Sequence, residues 1–191
     1  MKEEPELDYG PLAALIGNWE GDKGVDIAPE PEGPEESPYY EEIVFEAAGD
    51  VENAERQELA VVRYHQVVRR KSNDEVFHDQ VGYWTWDAKT NVVVQSLTIP
   101  RNVCVLAGGE HPRPDAGAAE ALKVSARKGD ADWGIIESPF MRDNATTTSF
   151  EHTLTVEGDT LTYAEMTMLH IYGREFEHTD TNTLVRRSRK A

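Results

Sequence analysis

The sequence predicts an all-β protein, a closed antiparallel up-and-down β-barrel of about ten strands with a short N-terminal capping helix. Three observations predict this fold. Segments rich in valine, threonine and aromatic residues recur along the chain, and short polar turns separate them. Long stretches with a helical period are missing. An up-and-down meander leaves two unpaired edges unless it closes on itself, so a barrel is favoured over an open sheet.

The first element is a helix predicted over residues 11–16, PLAALI, with a proline near its first position. Its apolar side chains suit it to cover one end of the barrel. Glycines around Trp19 then predict a first strand over residues 17–24 that bends or lies close to other backbone. Prolines and glutamates dominate residues 25–38, VDIAPEPEGPEESP, and this composition predicts a solvated acidic loop.

The middle of the chain contains a predicted hairpin. Residues 76–86 and 92–99 are its two strands, and the polar segment 87–91 is its turn. Residues 109–120 are predicted to form a surface insertion, and residues 121–127 fit either a strand or a helical turn. The other predicted strands cover residues 39–47, 59–68, 102–106, 133–137, 147–156, 161–171 and 175–186.

The length and composition of the chain favour one globular domain over residues 1–191, and its charge and cysteine content disfavour several classes of function. A formal net charge of -17 disfavours binding to nucleic acid or to anionic membranes. No apolar run reaches the roughly 20 residues that span a bilayer, and the start MKEEPELDYG lacks the pattern of a signal peptide, so a cytoplasmic location is expected. Cys104 is the only cysteine, which excludes an internal disulfide. Its place between Val103 and Val105 predicts a small buried residue.

The common catalytic motifs are missing. The chain has no glycine-rich phosphate loop, no nucleophile elbow and no zinc-binding H-E-x-x-H helix, and its six histidines are dispersed. The residues therefore indicate no catalytic set, and a hydrolase is disfavoured. A barrel of about ten strands is wider than side chains alone can fill, so a small-molecule ligand in an internal cavity is the favoured partner.

The last two strands indicate which histidine faces this cavity. With a two-residue turn at Gly173, odd-numbered residues of the incoming strand face even-numbered residues of the outgoing strand. His178 then points inward among apolar side chains, together with Asp180 and Asn182, while His170 points outward. A lone inward histidine is more often a hydrogen-bonded core residue than a ligand, but a cavity beside it favours a ligand.

Four segments resemble, in order, those of the nitrobindin-like heme-binding β-barrels, which are relatives of the fatty-acid-binding proteins in the calycin superfamily. They are the G-x-W-x-G-x-x-G pattern within residues 12–24, FHDQVGY at 77–83, IPRNV at the start of 99–108, and LVRR at 184–187. Gln80 replaces an acid that is usual in the second segment. Arg101 and Asn102 replace a threonine and a glycine in the third.

The resemblance implies heme b as cofactor, with its iron bound by one histidine on the last strand. It also implies that the ferric form reacts with nitric oxide or isomerises peroxynitrite. Counting back from Arg186, the family's histidine position falls on Asp180, and His178 lies two residues earlier on the same face. His78 matches the family's pocket histidine on the opposite wall. The expected cofactor-binding residues are therefore His178, as the metal ligand, with His78, Trp19, Arg101 and Asp180.

Two rival functions stay open at this point. One is a non-heme carrier of a small lipid-like ligand, whose polar head Arg101 or Asn182 anchors. The other is an enzyme that works inside the barrel with His78 and Asp79. The sequence leaves a monomer and a homodimer equally open.

Overall fold

The computed structural model describes residues 7–111 and 121–187 of the chain. Within these residues the chain forms a 3-10 helix at Gly10–Leu15, one short helix α1 at Pro139–Asn144, and eleven strands. No helix among the described residues is both long and apolar enough to cross a membrane. The strands are β1 (Gly17–Glu30), β2 (Gly33–Asn53), β3 (Gln57–Arg70), β4 (Val76–Asp87), β5 (Val92–Ile99), β6 (Val103–Glu110), β7 (Ala121–Arg127), β8 (Gly134–Glu137), β9 (Ala145–Glu157), β10 (Thr160–Ile171) and β11 (Arg174–Arg187).

The strands close into an antiparallel barrel, which confirms the predicted fold. Neighbouring strands pair in the order β5-β4-β3-β2-β1-β11-β10-β9-β7-β6, and pairing of β5 with β6 completes the ring. Strand β6 pairs with β7 at a single position, and beyond that position it pairs with the short strand β8. The ambiguous segment 121–127 is a strand, because it pairs along its whole length with β9. Of the predicted insertion at 109–120, residues 112–120 lie outside the described residues.

The 3-10 helix covers one end of the barrel, as its apolar composition predicts. Leu12 and Leu15 are buried in the same core cluster as Trp19. The indole Nε1 of Trp19 donates a hydrogen bond to the Leu15 carbonyl at 2.7 Å, and the Arg186 guanidinium lies 4.1 Å from the centre of the Trp19 ring. These contacts close this end of the barrel with a packed core.

The prediction of a solvated loop at residues 25–38 is wrong. The segment forms the far ends of β1 and β2, which pair with each other up to Glu30 and Gly33. β1 also pairs with β11, but only as far as Ile27. Proline lacks a backbone N–H, so it is tolerated where a strand has no neighbour on one side. Pro29 lies just beyond the last residue of β1 that pairs with β11, so its missing N–H costs little. Pairing of β1 with β2 along the whole segment thus outweighs its composition.

The last hairpin has the register that strand parity predicts. Tyr172 and Gly173 form a two-residue turn with positive φ angles of 54° and 72°. His178 lies directly opposite Thr167, and Leu169 lies opposite Phe176. The same alternation corrects the expectation for the cysteine. The neighbours of Cys104 in β6 take the inner face, so Cys104 itself is exposed on the outer face.

Candidate functional site

The barrel contains a cavity of about 430 Å³ near the end away from the 3-10 helix. Glu30, Arg101 and Tyr172, at or beside the turns of that end, are among its lining residues. This volume lies within the range of small-molecule sites, about 300 to 1,000 Å³. Apolar residues line one part of the wall, namely Val68, Leu97, Ile99, Val103, Val105, Met141, Phe150, Leu169 and Ile171. Polar and charged residues line the rest.

His178 reaches this cavity from β11 and is held by two carboxylates. Its Nε2 lies 2.6 Å from Oδ1 of Asp26 and 3.4 Å from Oδ2 of Asp180. Asp26 comes from β1, where it is the direct register partner of Asp180. Burial lowers the pKa of His178, but the hydrogen bond to Asp26 and the charge of Asp180 outweigh burial, so the pKa is raised. The two carboxylates therefore favour the protonated imidazole.

Asp180 lies between two other inward-facing carboxyl groups, those of Asp26 on β1 and Glu165 on β10. Burial is the largest influence on the pKa of Asp180 and raises it well above the usual value, against the opposing charge of His178. One side-chain donor atom from each of Asp26, His178 and Asp180 lies within 4.8 Å of the others. This spacing would allow a metal ion to bind the three side chains together.

Glu165 is a cavity residue that the sequence analysis missed. No other described residue makes a hydrogen bond with its carboxyl group, and Nδ1 of His152 lies 3.9 Å from Oε2 of Glu165. Burial, followed by the charge of Glu41, raises the pKa of Glu165 to about 8. The strand parity that puts His178 inward also puts Glu165 inward, so a signal for this residue was available in the sequence.

Glu41 forms a buried polar cluster next to the cavity. Its carboxylate accepts hydrogen bonds from Nδ2 of Asn182 at 2.6 Å and from Nε2 of Gln66 at 2.7 Å. Burial raises the pKa of Glu41 to about 6, although both hydrogen bonds act in the opposite direction. Asn182 gives one amide N–H to Glu41 and is not among the residues that line the cavity, so it is not placed to anchor the polar head of a carried ligand.

His78 projects from β4 into the cavity from the opposite wall, which settles the direction that the sequence left open. Its Nε2 lies 3.2 Å from Oε1 of Gln80. Burial lowers the pKa of His78, so its neutral form is favoured. Asp79 faces the outer side of the barrel, where Oδ1 lies 3.2 Å from Nε2 of the exposed His65. His78 and Asp79 therefore cannot act together inside the cavity.

Two arginines lie at the open end of the cavity. Arg101 is exposed and lines the opening. The guanidinium of Arg70 also lines it and lies 4.8 Å from the centre of the Phe77 ring. The Nε of Arg70 is buried, and none of the described residues gives it a hydrogen-bond partner. An anionic group at this end of the cavity would find two positive charges.

The structure brings together most of the residues that the sequence singled out. His178, His78, Arg101 and Asp180 all line the cavity. Trp19 does not line it, because this residue is packed against the 3-10 helix in the core of the closed end. The cavity also contains Asp26, which lies in the segment predicted to be a solvated loop.

The chain is similar to proteins of known family and fold. A family model described as a THAP4-like, heme-binding β-barrel domain matches residues 8–186. The crystal structure of Rv2717c from M. tuberculosis superposes with a TM-score of 0.67 at 22% sequence identity, covering 95% of this chain and 100% of that chain. This likeness concerns the fold. No curated protein matches the chain.

Proposed function

The chain belongs to the family of THAP4-like, heme-binding β-barrel domains, and we propose from this premise that its cavity binds heme b with His178 as the iron ligand. The observation that carries the proposal is the position of His178. It lies on the last strand and lines the cavity, whereas His170 on the neighbouring strand is exposed on the outer face. A histidine nitrogen is a common axial ligand of heme iron.

The other cavity residues fit this group. Leu97 and Phe150 belong to the apolar wall that a porphyrin face requires. Arg101 and Arg70, at the open end, would pair with the two propionate carboxylates. Heme b carries no thioether links to the protein, so a chain with one cysteine can hold it.

One contact has to change when the iron binds. The Nε2 of His178 lies 2.6 Å from Asp26, and a nitrogen that holds a proton for a carboxylate has no lone pair for a metal. We therefore propose that His178 releases its Nε2 proton to the solvent and turns away from Asp26 when the cofactor enters. Heme bound at this site would supply an iron centre able to react with nitric oxide or peroxynitrite. The chain's contribution is to hold that centre by one imidazole and to keep apolar side chains around it.

A hemin titration followed by the Soret absorbance band tests the proposal. Hemin should bind the wild type at one equivalent, and His178→Ala should weaken its binding by at least about tenfold, because the variant lacks the iron ligand. His170→Ala is the matched control and should bind hemin as the wild type does. Equal binding by the wild type and His178→Ala would contradict the proposal.

The role of His78 is tested separately. Because His78 lies on the opposite wall, His78→Ala should retain hemin and change the rate at which the ferric protein reacts with nitric oxide. Stopped-flow absorbance with matched heme loading measures this rate. Loss of hemin from His78→Ala, with His178 intact, would show that His78 holds the iron instead.

A second candidate function is a non-heme carrier of a small amphipathic anion. The buried and unpartnered Nε of Arg70 favours it, since a carboxylate head at the open end would satisfy that atom. Quenching of tryptophan fluorescence by oleate, compared between wild type and Arg70→Gln, measures this binding. Tight oleate binding that depends on Arg70, together with absent hemin binding, would favour the carrier.

A further inference from the structure

A chain of hydrogen bonds crosses the interior of the barrel and ends at His78. Nε2 of His78 lies 3.2 Å from Oε1 of Gln80, and Nε2 of Gln80 donates to the Tyr64 hydroxyl at 2.7 Å. The same hydroxyl accepts a hydrogen bond from Nε2 of Gln95 at 2.9 Å. Oε1 of Gln95 lies 2.9 Å from Nδ1 of His152. Side chains from β3, β4, β5 and β9 thus form one connected network.

The central members of this network are buried, so their orientation matters. Gln80 is 2% exposed, Gln95 is 0% exposed and Tyr64 is 3% exposed. An amide group that lost its partner in this network would give up a buried hydrogen bond, which is costly in the interior. The network therefore resists rotation of either glutamine side chain.

The arrangement of the amides determines which nitrogen of His78 carries the proton. Both glutamine nitrogens face the single oxygen of Tyr64, so both glutamine oxygens face a histidine. An amide oxygen only accepts hydrogen bonds, so the facing Nε2 of His78 is the donor. In a neutral imidazole the other nitrogen, Nδ1, then carries the lone pair. No described residue makes a hydrogen bond to this Nδ1, and the ring lines the cavity.

The charges around His78 support a neutral ring. Burial is the largest influence on the pKa of His78 and lowers it. The hydrogen bond to Gln80 comes next and raises the pKa, His178 from β11 and Arg101 from the β5–β6 turn lower it, and the charge of Asp26 on β1 raises it, with a net lowering. A glutamine, unlike a carboxylate, brings no charge that would stabilise the imidazolium.

We propose that Gln80 is a positioning residue that fixes His78 as a hydrogen-bond acceptor toward the cavity. The cavity then favours a small ligand that donates a hydrogen bond from an O–H or N–H group to His78. It gives no advantage to a ligand that can only accept hydrogen bonds. This specificity goes beyond the binding of heme itself.

The first arm of the test needs no cofactor. Long-range ¹H–¹⁵N NMR spectra of the uniformly labelled protein distinguish the two neutral tautomers of each histidine, and His78→Ala assigns the signals of His78. We expect His78 to carry its proton on Nε2. A proton on Nδ1 would mean that the Gln80 amide is turned around, and it would overturn the inference.

The second arm rests on the proposed heme function and uses fluoride, which can only accept a hydrogen bond. Ferric heme-loaded wild type and His78→Ala should bind fluoride with affinities that agree within about twofold. Gln80→Glu should protonate the ring and tighten fluoride binding roughly tenfold or more, the effect of one hydrogen bond from a charged donor. The double variant Gln80→Glu/His78→Ala should lose this gain.

The outcomes separate the inference from the proposed function. If hemin binds but His78→Ala alone weakens fluoride binding about tenfold, His78 is a donor and the inference is overturned. If Gln80→Glu gives no gain, Gln80 does not control the ring and the inference is likewise overturned. If hemin does not bind at all, the proposed function fails, and the NMR tautomer alone decides the role of Gln80.

Discussion

Replacing Glu165 with glutamine should remove a large part of the pH dependence of stability. Glu165 enters the cavity from β10 with a side chain only 15% exposed, and no described residue makes a hydrogen bond with it. Burial raises its pKa in the folded protein to about 8, from an ordinary value of 4.5. Glutamine has nearly the same shape and no ionisable group, so it removes the titration and leaves the packing in place.

The sign and size of the effect follow from the two pKa values. Above pH 4.5 the unfolded chain loses the Glu165 proton, while the folded protein keeps it until about pH 8. The contribution of Glu165 to the free energy of unfolding is therefore fully present below pH 4.5 and is lost as the pH rises through this window. A pKa difference of about 3.5, at about 1.36 kcal/mol for each pKa unit, corresponds to about 5 kcal/mol.

Urea unfolding followed by tryptophan fluorescence at pH 5 and pH 8.5 measures this contribution. The wild type should lose several kcal/mol more between the two pH values than Glu165→Gln does. Glu41, whose pKa is raised to about 6, is present in both proteins, so its contribution cancels in the comparison. Glu151→Gln, on the exposed outer face of β9, is the matched control and should behave as the wild type does.

The result that would refute this reasoning is a wild type and a Glu165→Gln variant whose stabilities change equally with pH. Equality would mean that Glu165 ionises in the folded protein at its ordinary pKa, through water in the cavity or through a partner cation. The inward position of Glu165 would remain, but its burial would no longer determine its charge.

Two further predictions concern the closed end and the site. Trp19→Ala should lower the free energy of unfolding, measured by urea unfolding, by about 3–5 kcal/mol. The reason is that it removes a fully buried ring together with its contacts to Leu15 and Arg186. A loss below about 1 kcal/mol would show that the 3-10 helix refills the space. Asp26→Asn should lower the pKa of His178 and strengthen hemin binding at pH 7, since more of the imidazole is neutral. Hemin binding weaker than in the wild type, measured by titration of the Soret band, would show that Asp26 instead orients the ring for iron.

The sequence by itself determined most of the strands and, given a two-residue turn, the direction of His178. Alternation in residues 161–171 and 175–186, with a two-residue turn at Tyr172 and Gly173, puts His178 inside, and the structure has this register. Such a pattern is local, because side chains alternate between the two faces of any strand. The family motifs added heme, which the family match over residues 8–186 supports.

The partners of His178 were decided only by the tertiary structure. Asp26 lies in a segment whose prolines and glutamates indicate a loop, yet pairing of β1 with β11 places it 2.6 Å from Nε2 of His178. Gln80 and Gln95 both donate to the Tyr64 hydroxyl because the register of three strands brings them to it. The burial of a polar residue depends on which distant strands surround it, and the local sequence pattern does not predict those strands. Trp19 shows the same limit, since only the docked 3-10 helix puts it in the closed end and away from the cavity.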